Sequence, residues 1–369
     1  MRMILYLIGG LLALVLLGLW LVPKLPAFGS APAAAQREQF RSSPQWNGKT
    51  FQNTLPTEMM LPGTSYWKLM REQFKSAERA PKAALPYRSN TWQVADTSFH
   101  YHWLGHSTLY LQKNGLHLLL DPIFKQRASP FQFAGSAPYP GMNQFSLAQL
   151  PAIDYVLITH DHYDHLDYTT IQAIAKRPAV RFIVPLGVGS HLQRWGVASE
   201  RITELDWWQE LMLPGSLRLV MTPARHFSGR GLQRNNTLWA SYSFLWPDQR
   251  IFASGDSGYG PHFAEIGEKL GPFDLAFIEN GQYNDAWPYI HLAPEQGWQA
   301  CNDLGARWVQ PIHWGKYTLA LHRWDEPVQR LHAAAAADSL RLLTPVAGEP
   351  VRLLPPMPVE RWWRDPAFQ

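Results

Sequence analysis

The feature that most restricts this chain is a six-residue segment, His160 to His165, that holds three histidines and two aspartates and follows the apolar run DYVLI after one residue, Thr159. Buried imidazoles and carboxylates this close together repel one another or stay without partners unless a cation organises them. In an extended segment His160 and His162 point the same way, so they can share one metal ion. As the chain turns, Asp164 and His165 can reach a second ion. These nitrogen and oxygen donors suit zinc, with manganese or iron as the alternatives.

The sequence around this segment predicts a layered α/β protein. Short apolar runs bounded by turn residues, such as STLYLQ, LHLLLD, RFIVP, LRLVMTP and DLAFIEN, are typical of strands. Helix-like stretches lie between some of them, at Thr169 to Arg177, His262 to Leu270 and Pro294 to Leu304. Early hairpins followed by an alternation of strands and helices predict sheets that are covered by helices.

The six-residue segment resembles the HxHxDH signature of the metallo-β-lactamase superfamily, whose fold is an αββα sandwich with the site at one edge of two facing sheets. The resemblance implies three further ligands, each just past a predicted strand: His226 in TPARHFSG, Asp256 in ASGDSGY and His313 in QPIHWGK. It assigns the first zinc to His160, His162 and His226, the second zinc to Asp164, His165 and His313, and a bridging role to Asp256. Two ions on one water would lower the pKa of that water towards neutrality and supply a hydroxide nucleophile, which Asp164 would also orient.

A closer resemblance is to the N-acylphosphatidylethanolamine phospholipases D and their bacterial relatives. The similar stretches are WLGHSTL (103–109), LLDPIFKQRASP (119–130), HDHYDHLDY (160–168), ELDWW (204–208), GDSGY (255–259), GPFDLAFI (271–278) and IHWG (312–315). The chain departs from the animal enzymes at Asp161, where they carry Asn, and over ENGQYNDAW (279–287). The resemblance therefore implies the dizinc site more strongly than it implies the lipid specificity.

Four further residues are candidates for contact with the substrate. His291, in YIHLAPEQ, matches a family histidine near the substrate phosphate and is expected to bind phosphate or to protonate the leaving oxygen. Arg127 is either a phosphate contact or an ordinary surface arginine. His106 either contacts the substrate or is a buried turn histidine that supports the ligands. Tyr259 is expected to shape the pocket.

The N-terminus predicts a membrane or targeting segment. Residues 3–22 form an apolar run between Arg2 and Lys24, which is closer to the roughly 20 residues of a spanning helix than to a secretory signal of about 7–15. The Ala-rich stretch 31–35 leaves cleavage open. We therefore interpret 1–22 as an anchor or signal, with the globular part facing the periplasm of a bacterial inner membrane if anchored, and secreted or periplasmic if cleaved.

The remaining chain divides into a Pro/Ala-rich tether at 23–45 and a hydrolase domain at 46–369, of which 46–95 is an irregular N-terminal arm. A net charge of +4, from 33 basic and 29 acidic residues that are scattered, argues against a nucleic-acid partner. A single cysteine, Cys301, excludes an internal disulfide. Composition leaves the oligomeric state open.

The leading interpretation is a membrane-associated phospholipase D-type phosphodiesterase that acts on N-acylphosphatidylethanolamine or a related phospholipid through a dizinc-activated hydroxide. The alternative is a lactonase or carboxylester hydrolase of the sugar-lactone type with the same two zincs. A nuclease would need a basic groove and an added clamping domain, which are not visible in the sequence. An anchored scaffold without activity would be expected to have lost ligands, whereas all seven are present here.

Overall fold

Two β-sheets carry the residues that the sequence identifies as ligands. The computed structural model describes residues 2–73, 79–88, 92, 97–124, 127–336, 341–353 and 360–369. The strands in these ranges are β1 (His100–Trp103), β2 (Leu109–Lys113), β3 (Leu116–Leu120), β4 (Tyr155–Leu157), β5 (Arg181–Pro185), β6 (Ile202–Leu205), β7 (Glu210–Leu213), β8 (Leu217–Thr222), β9 (Ser241–Trp246), β10 (Gln249–Ala253), β11 (Leu275–Glu279), β12 (Trp308–Ile312) and β13 (Pro350–Arg352). One sheet has the order β13-β1-β2-β3-β4-β5-β6 and the other has the order β12-β11-β10-β9-β8-β7.

Most strands of the second sheet are buried on both faces, because alternate side chains enter two different cores, whereas the edge strand β7 is partly exposed. In β11, Leu275 and Phe277 belong to the core shared with the first sheet, whereas Ala276 and Ile278 pack against helices. The inner contact includes Tyr101 of β1, whose ring lies 4.8 Å from that of Phe277. This two-sided burial explains the nearly continuous apolar run DLAFI in the sequence.

The helices in the described ranges are α1 (Arg2–Leu21), α2 (Ala34–Gln39), α3 (Tyr66–Gln73), α4 (Tyr168–Ala175), α5 (Gly189–Arg194), α6 (His262–Leu270), α7 (Pro294–Asp303) and α8 (Glu326–Ala335). Helices α4 to α8 contribute buried side chains to the cores formed with the two sheets. Helices α6, α7 and α8 bury Ile266, Cys301 and Leu331 against the second sheet. Helix α4 begins after Asp167, whose carboxylate accepts from Thr170 N and caps the first turn. The α/β sandwich predicted from the sequence is confirmed.

The N-terminal apolar run forms α1. Residues Tyr6–Lys24 have a mean hydropathy of 2.2 and are not buried, so their length and composition suit a membrane span, although a signal sequence meets the same criteria. The following segment 23–45, predicted as a tether, contacts the domain through Gln36 of α2, which accepts from Ser190 Oγ at 3.0 Å, and through Phe40, which is fully buried. Stretches 74–78, 89–91 and 93–96 of the predicted arm lie outside the described residues.

One buried hydroxyl ties the two sheets together next to the HxHxDH segment. Tyr242 in β9 donates from its hydroxyl to the carbonyls of Ile158 (2.8 Å) and Ile183 (3.1 Å), which belong to the first-sheet side. Ile158 is two residues before His160. The hydroxyl of Tyr242 therefore fixes the strand end from which the candidate ligands leave.

Replacing Tyr242 by Phe should lower the free energy of unfolding by about 1–3 kcal/mol, because two buried carbonyls lose their shared donor. Urea unfolding of the metal-loaded protein measures the change. The matched control is Tyr87→Phe, at a tyrosine that is 40% exposed. Equal urea midpoints for the two variants would contradict the proposed role of the hydroxyl.

Candidate metal centre

Three histidines and one aspartate converge beyond the ends of β4, β8 and β10. His160 Nε2 lies 2.9 Å from His162 Nδ1, and His226 Nε2 lies 3.2 Å from the same atom of His162. Asp256 Oδ2 is 3.8 Å from both His160 Nε2 and His226 Nε2. One ligand atom of each residue lies within 4.8 Å of the others, so these four side chains can surround a single ion. We call them the first group.

A second group lies beside the first and contains His106, Asp164, His165 and His313, again with one ligand atom each within 4.8 Å. Asp164 Oδ2 is 2.8 Å from His106 Nε2 and 3.5 Å from both His165 Nε2 and His313 Nε2. The sequence analysis assigned three of these residues to the second zinc and gave His106 a substrate or supporting role. The structure places His106 fully buried within the group, where its contact with Asp164 favours the supporting role.

Asp256 joins the two groups. Its Oδ2 faces the first group, while its Oδ1 lies 3.2 Å from His165 Nε2 and contacts His313 Nδ1. Burial alone would raise the pKa of Asp256, but the neighbouring His165 and His313 reverse this and hold the pKa well below its ordinary value. One oxygen towards each group is the geometry of a bridging carboxylate.

The charges around His165 indicate that a cation belongs in this place. Burial would lower the pKa of His165, but the carboxylates of Asp256, Asp164 and Asp121 outweigh it and raise the pKa well above the ordinary value. Its buried Nε2 lies 3.2 Å from Asp256 Oδ1 and 3.5 Å from Asp164 Oδ2, yet it makes no hydrogen bond to either carboxylate or to any other described residue. An unpartnered buried nitrogen aimed at carboxylates fits a metal ligand.

Hydrogen bonds behind the ligands fix which ring nitrogen faces the centre. His226 Nδ1 lies 2.7 Å from the carbonyl of Ile290, which only accepts, so the Nδ1 proton is there and Nε2 presents its lone pair. His165 Nδ1 lies 2.8 Å from Asp121 Oδ2, which gives the same result. Asp121 also accepts from Thr159 N (2.8 Å) and Thr159 Oγ1 (2.7 Å), so its own position is fixed by the segment that begins the HxHxDH motif.

The backbone is held in the left-handed region at three positions around the second group. The φ values are 54° at His106, 43° at Asp121 and 65° at His313. His106 N donates to the carbonyl of Trp314, and His313 N donates to the carbonyl of His106, which locks the two turns together. Left-handed backbone at residues other than glycine costs free energy and persists where the surroundings impose it, as at functional sites.

A cavity of about 520 Å³ opens onto both groups. Its polar lining comes from His162, Asp164, Arg234, Asp256, Gln282, His291 and His313. Its apolar lining comes from Met59, Met60, Tyr66, Phe227, Trp287, Ile290 and Leu319. A substrate with an apolar part beside a polar reacting group suits this lining.

Glu279, which the sequence analysis did not single out, lies behind His291. Its Oε1 contacts His291 Nδ1, and its Oε2 accepts from Ser257 N at 2.6 Å. Burial and the charge of Asp256 raise the pKa of Glu279 well above its ordinary value, while burial lowers the pKa of His291 to about 3. An acidic residue at the end of an otherwise apolar strand, FIE, was the available sequence signal.

Two of the predicted substrate contacts lie away from this cavity. Arg127 is half-buried, donates to the carbonyl of Gly135, and is not among the described residues that line the cavity. Tyr259 donates from its hydroxyl to Asp303 Oδ2 at 2.6 Å, and this bond raises the pKa of Tyr259 to about 12. His291, by contrast, lines the cavity and keeps 13% of its side chain exposed.

Comparison with known proteins assigns the family. The model of the beta-lactamase superfamily domain matches residues 117–314, which is more than half of the chain. This chain belongs to the metallo-β-lactamase superfamily. An uncharacterized protein of Mycobacterium tuberculosis is 41% identical over 362 residues, which cover 94% of this chain and 95% of that protein.

Two further comparisons agree with membership in the superfamily. The N-acyl-phosphatidylethanolamine-hydrolyzing phospholipase D 1 of Caenorhabditis elegans is 32% identical over 305 residues, which cover 76% of this chain and 85% of that protein. The solved structure of Igni18, a metallo hydrolase from Ignicoccus hospitalis, matches with a TM-score of 0.53 and 20% identity, covering 69% of this chain and 98% of that one. The structural likeness concerns the fold alone.

Membership in the metallo-β-lactamase superfamily identifies the chain as a metal-dependent hydrolase, with the two groups as its candidate ligands for divalent metal. The residues present fit such ions. They offer imidazole nitrogens with fixed tautomers, carboxylates that share a buried space, and the unpartnered Nε2 of His165.

Replacing Asp121 by Asn should weaken metal affinity by roughly 10–100-fold, because the residue orients His165 from behind the ligands. Competition with a chromophoric chelator measures the affinity. Asp248→Asn is the control, since Asp248 is also paired, with Lys113, but its side chain is 68% exposed. An unchanged affinity in Asp121→Asn would remove Asp121 from the metal centre.

Proposed function

We propose that this superfamily member is a membrane-associated phosphodiesterase of the phospholipase D type, acting on N-acylphosphatidylethanolamine or a related phospholipid. The observation that carries the proposal is the cavity, where apolar side chains adjoin two groups of metal ligands. The relative from Caenorhabditis elegans, whose name states hydrolysis of this lipid, supports the substrate class.

Two zinc ions are the proposed cofactors, with manganese or iron as alternatives. His160, His162 and His226 would hold one ion, and Asp164, His165 and His313 the other, with Asp256 between them. When bound, the ions supply an activated water and positive charge for the phosphoryl oxygens. Asp164, which reaches into the cavity from the second group, would orient that water through its carboxylate.

His291 would act on the leaving group. Its Nδ1 is committed to Glu279, so Nε2 is the ring nitrogen left for an oxygen of the substrate. Burial keeps the imidazole neutral at physiological pH. A neutral ring that carries its proton on Nε2 can donate it to the departing oxygen of the N-acylethanolamine if Nδ1 receives a proton in the same step. The raised pKa of Glu279 keeps its carboxyl protonated, so Glu279 would give that proton to Nδ1 and would end as the carboxylate, with the ring neutral throughout.

The arm would admit the lipid. Met59, Met60 and Tyr66 line the cavity, and α3 presents Trp67 and Met70 to solvent, with Trp67 75% exposed. Exposed aromatic and methionine side chains of this kind suit the interfacial region of a bilayer. Together with α1 as an anchor, this arrangement would keep the cavity close to a membrane, with the catalytic domain on the periplasmic side.

The decisive assay incubates the metal-loaded full chain with vesicles that contain N-acylphosphatidylethanolamine. We expect phosphatidic acid and N-acylethanolamine, because hydrolysis would break the phosphorus–oxygen bond on the head-group side. Mass spectrometry of the lipid extract measures both products, and His226→Ala is the inactive control. Turnover of soluble esters or lactones without release of phosphatidic acid would replace the lipid proposal with the ester or lactone alternative.

Replacing His291 by Gln should lower kcat by about 10²–10⁴-fold on a phospholipid with an alkoxide leaving group. The loss should be much smaller with a p-nitrophenyl phosphodiester, whose leaving group needs no proton. Metal content, measured by atomic emission, should stay at the wild-type value. Equal losses on both substrates would argue against proton donation by His291.

A further inference from the structure

The chain between α1 and the Ala-rich stretch lies against the back of the metal-binding loop. We call residues 24–30 the strap. Phe28 in the strap packs edge-on against Tyr163, with ring centroids 6.2 Å apart, and Tyr163 belongs to the HxHxDH segment itself. Trp195 donates from Nε1 to the carbonyl of Pro26 at 2.8 Å. The strap thus contacts the loop that carries ligands of both groups.

Arg230 connects the strap to both ends of that loop. Its Nη1 donates to the carbonyls of Asp161 (2.6 Å) and Leu166 (2.8 Å), which flank His162, Asp164 and His165 in the chain. Its Nη2 and Nε donate to the carbonyl of Ala27, at 2.8 and 3.2 Å. The guanidinium also lies 4.1 Å from the ring centroid of Tyr163. A planar fork can hold three separated carbonyls at once because its donors are spread over three nitrogens, whereas all the donors of a lysine radiate from one nitrogen.

A second connection runs through His191. Ser30 N donates to His191 Nδ1 at 2.9 Å, so the neutral ring carries its proton on Nε2. That nitrogen lies 3.2 Å from Asp161 Oδ2 and donates to it. Asp161 Oδ1 in turn accepts from Gly229 N at 2.7 Å, three residues after the candidate ligand His226. The connection therefore reaches the loops of both motifs.

Gly29 permits the close approach that this connection needs. Its φ is +69°, and a Cβ added there would lie 2.0 Å from His191 Nδ1. Any side chain at this position would displace either His191 or the strap, in addition to straining the backbone. The sequence thus provides a glycine at the point where the strap meets the ring.

We propose that the strap is a structural part of the metal centre, with Arg230 and His191 as positioning residues. They would hold the HxHxDH loop and the His226 loop in the arrangement that binds metal. The proposal is independent of the substrate. Cleavage in the stretch 31–35 would remove the strap, so the proposal also favours the retained anchor over the cleaved signal.

Hydrogen exchange on the wild-type full chain tests this without a variant. If the strap and the loop form one unit, ordering of the loop by zinc must also order the strap, since coupling between two sites is reciprocal. We expect zinc to slow exchange in the strap (24–30) as well as in 159–166, with β7 unchanged as an internal control. Slower exchange in 159–166 without any change in 24–30 would overturn the proposal.

Gly29→Ala provides a second test through affinity. We expect roughly 10–100-fold weaker binding of zinc, measured by chelator competition, and an altered visible spectrum of the cobalt-loaded protein. Gly48→Ala is the matched control, because Gly48 also has a positive φ of 93° but has no atom within 4 Å of an added Cβ. Wild-type zinc affinity in Gly29→Ala would overturn the proposal.

Arg230→Lys covers the case in which Gly29→Ala does not fold. It keeps the positive charge, but its donors share one nitrogen and cannot reproduce the spacing of the guanidinium fork, so we expect the same loss of zinc affinity and faster exchange in the strap. We expect the variant to keep the global fold without the guanidinium of Arg230, and circular dichroism monitors this. Zinc affinity and strap exchange equal to those of the wild type would overturn the positioning role of Arg230.

Discussion

The rest of the site depends on the interaction of the Asp256 carboxylate with the surrounding imidazoles. One of its oxygens faces a set of three imidazoles and the other faces a second set, so a single side chain brings both sets into one electrostatic unit. Buried charges of this density are stable only when opposite charges balance them. The two sheets, the left-handed turns and the hydrogen bonds behind the rings keep these groups together despite the cost of burying them.

Much of the fold and the ligand set could be predicted from the sequence, for local reasons. The apolar runs have the composition of strands buried on both faces, and the predicted helix His262–Leu270 coincides with α6. His160 and His162 share a direction because they are two residues apart in extended chain. His226, Asp256 and His313 follow strand ends, and the ends of strands in one layer meet at one edge. That these residues bind metal stays a prediction.

Other parts depend on tertiary contacts that local patterns do not contain. Asp121 supports His165 across 44 positions of sequence, and Glu279 meets His291 only because the chain after β11 returns to the cavity. Arg127 lies outside the cavity because its guanidinium is used by its own loop. The Pro and Ala content of segment 23–45 predicts a tether but not its contacts with distant loops, which include Trp195 with the carbonyl of Pro26 and Arg230 with that of Ala27.

The short connection between α1 and the strap has a consequence for how the protein searches for substrate. Only Val22–Lys24, a single 3-10 turn with a rise of roughly 2 Å per residue, separates the end of α1 from the first strap contact, Arg194 with the carbonyl of Lys24. If α1 were inserted in a bilayer, the linker to the catalytic domain would therefore be too short to let the domain move far from the membrane surface. The anchored protein would then meet its lipid substrate by two-dimensional diffusion at a fixed height above the bilayer. The density of the substrate in the leaflet, rather than its bulk concentration, would set the rate of encounter.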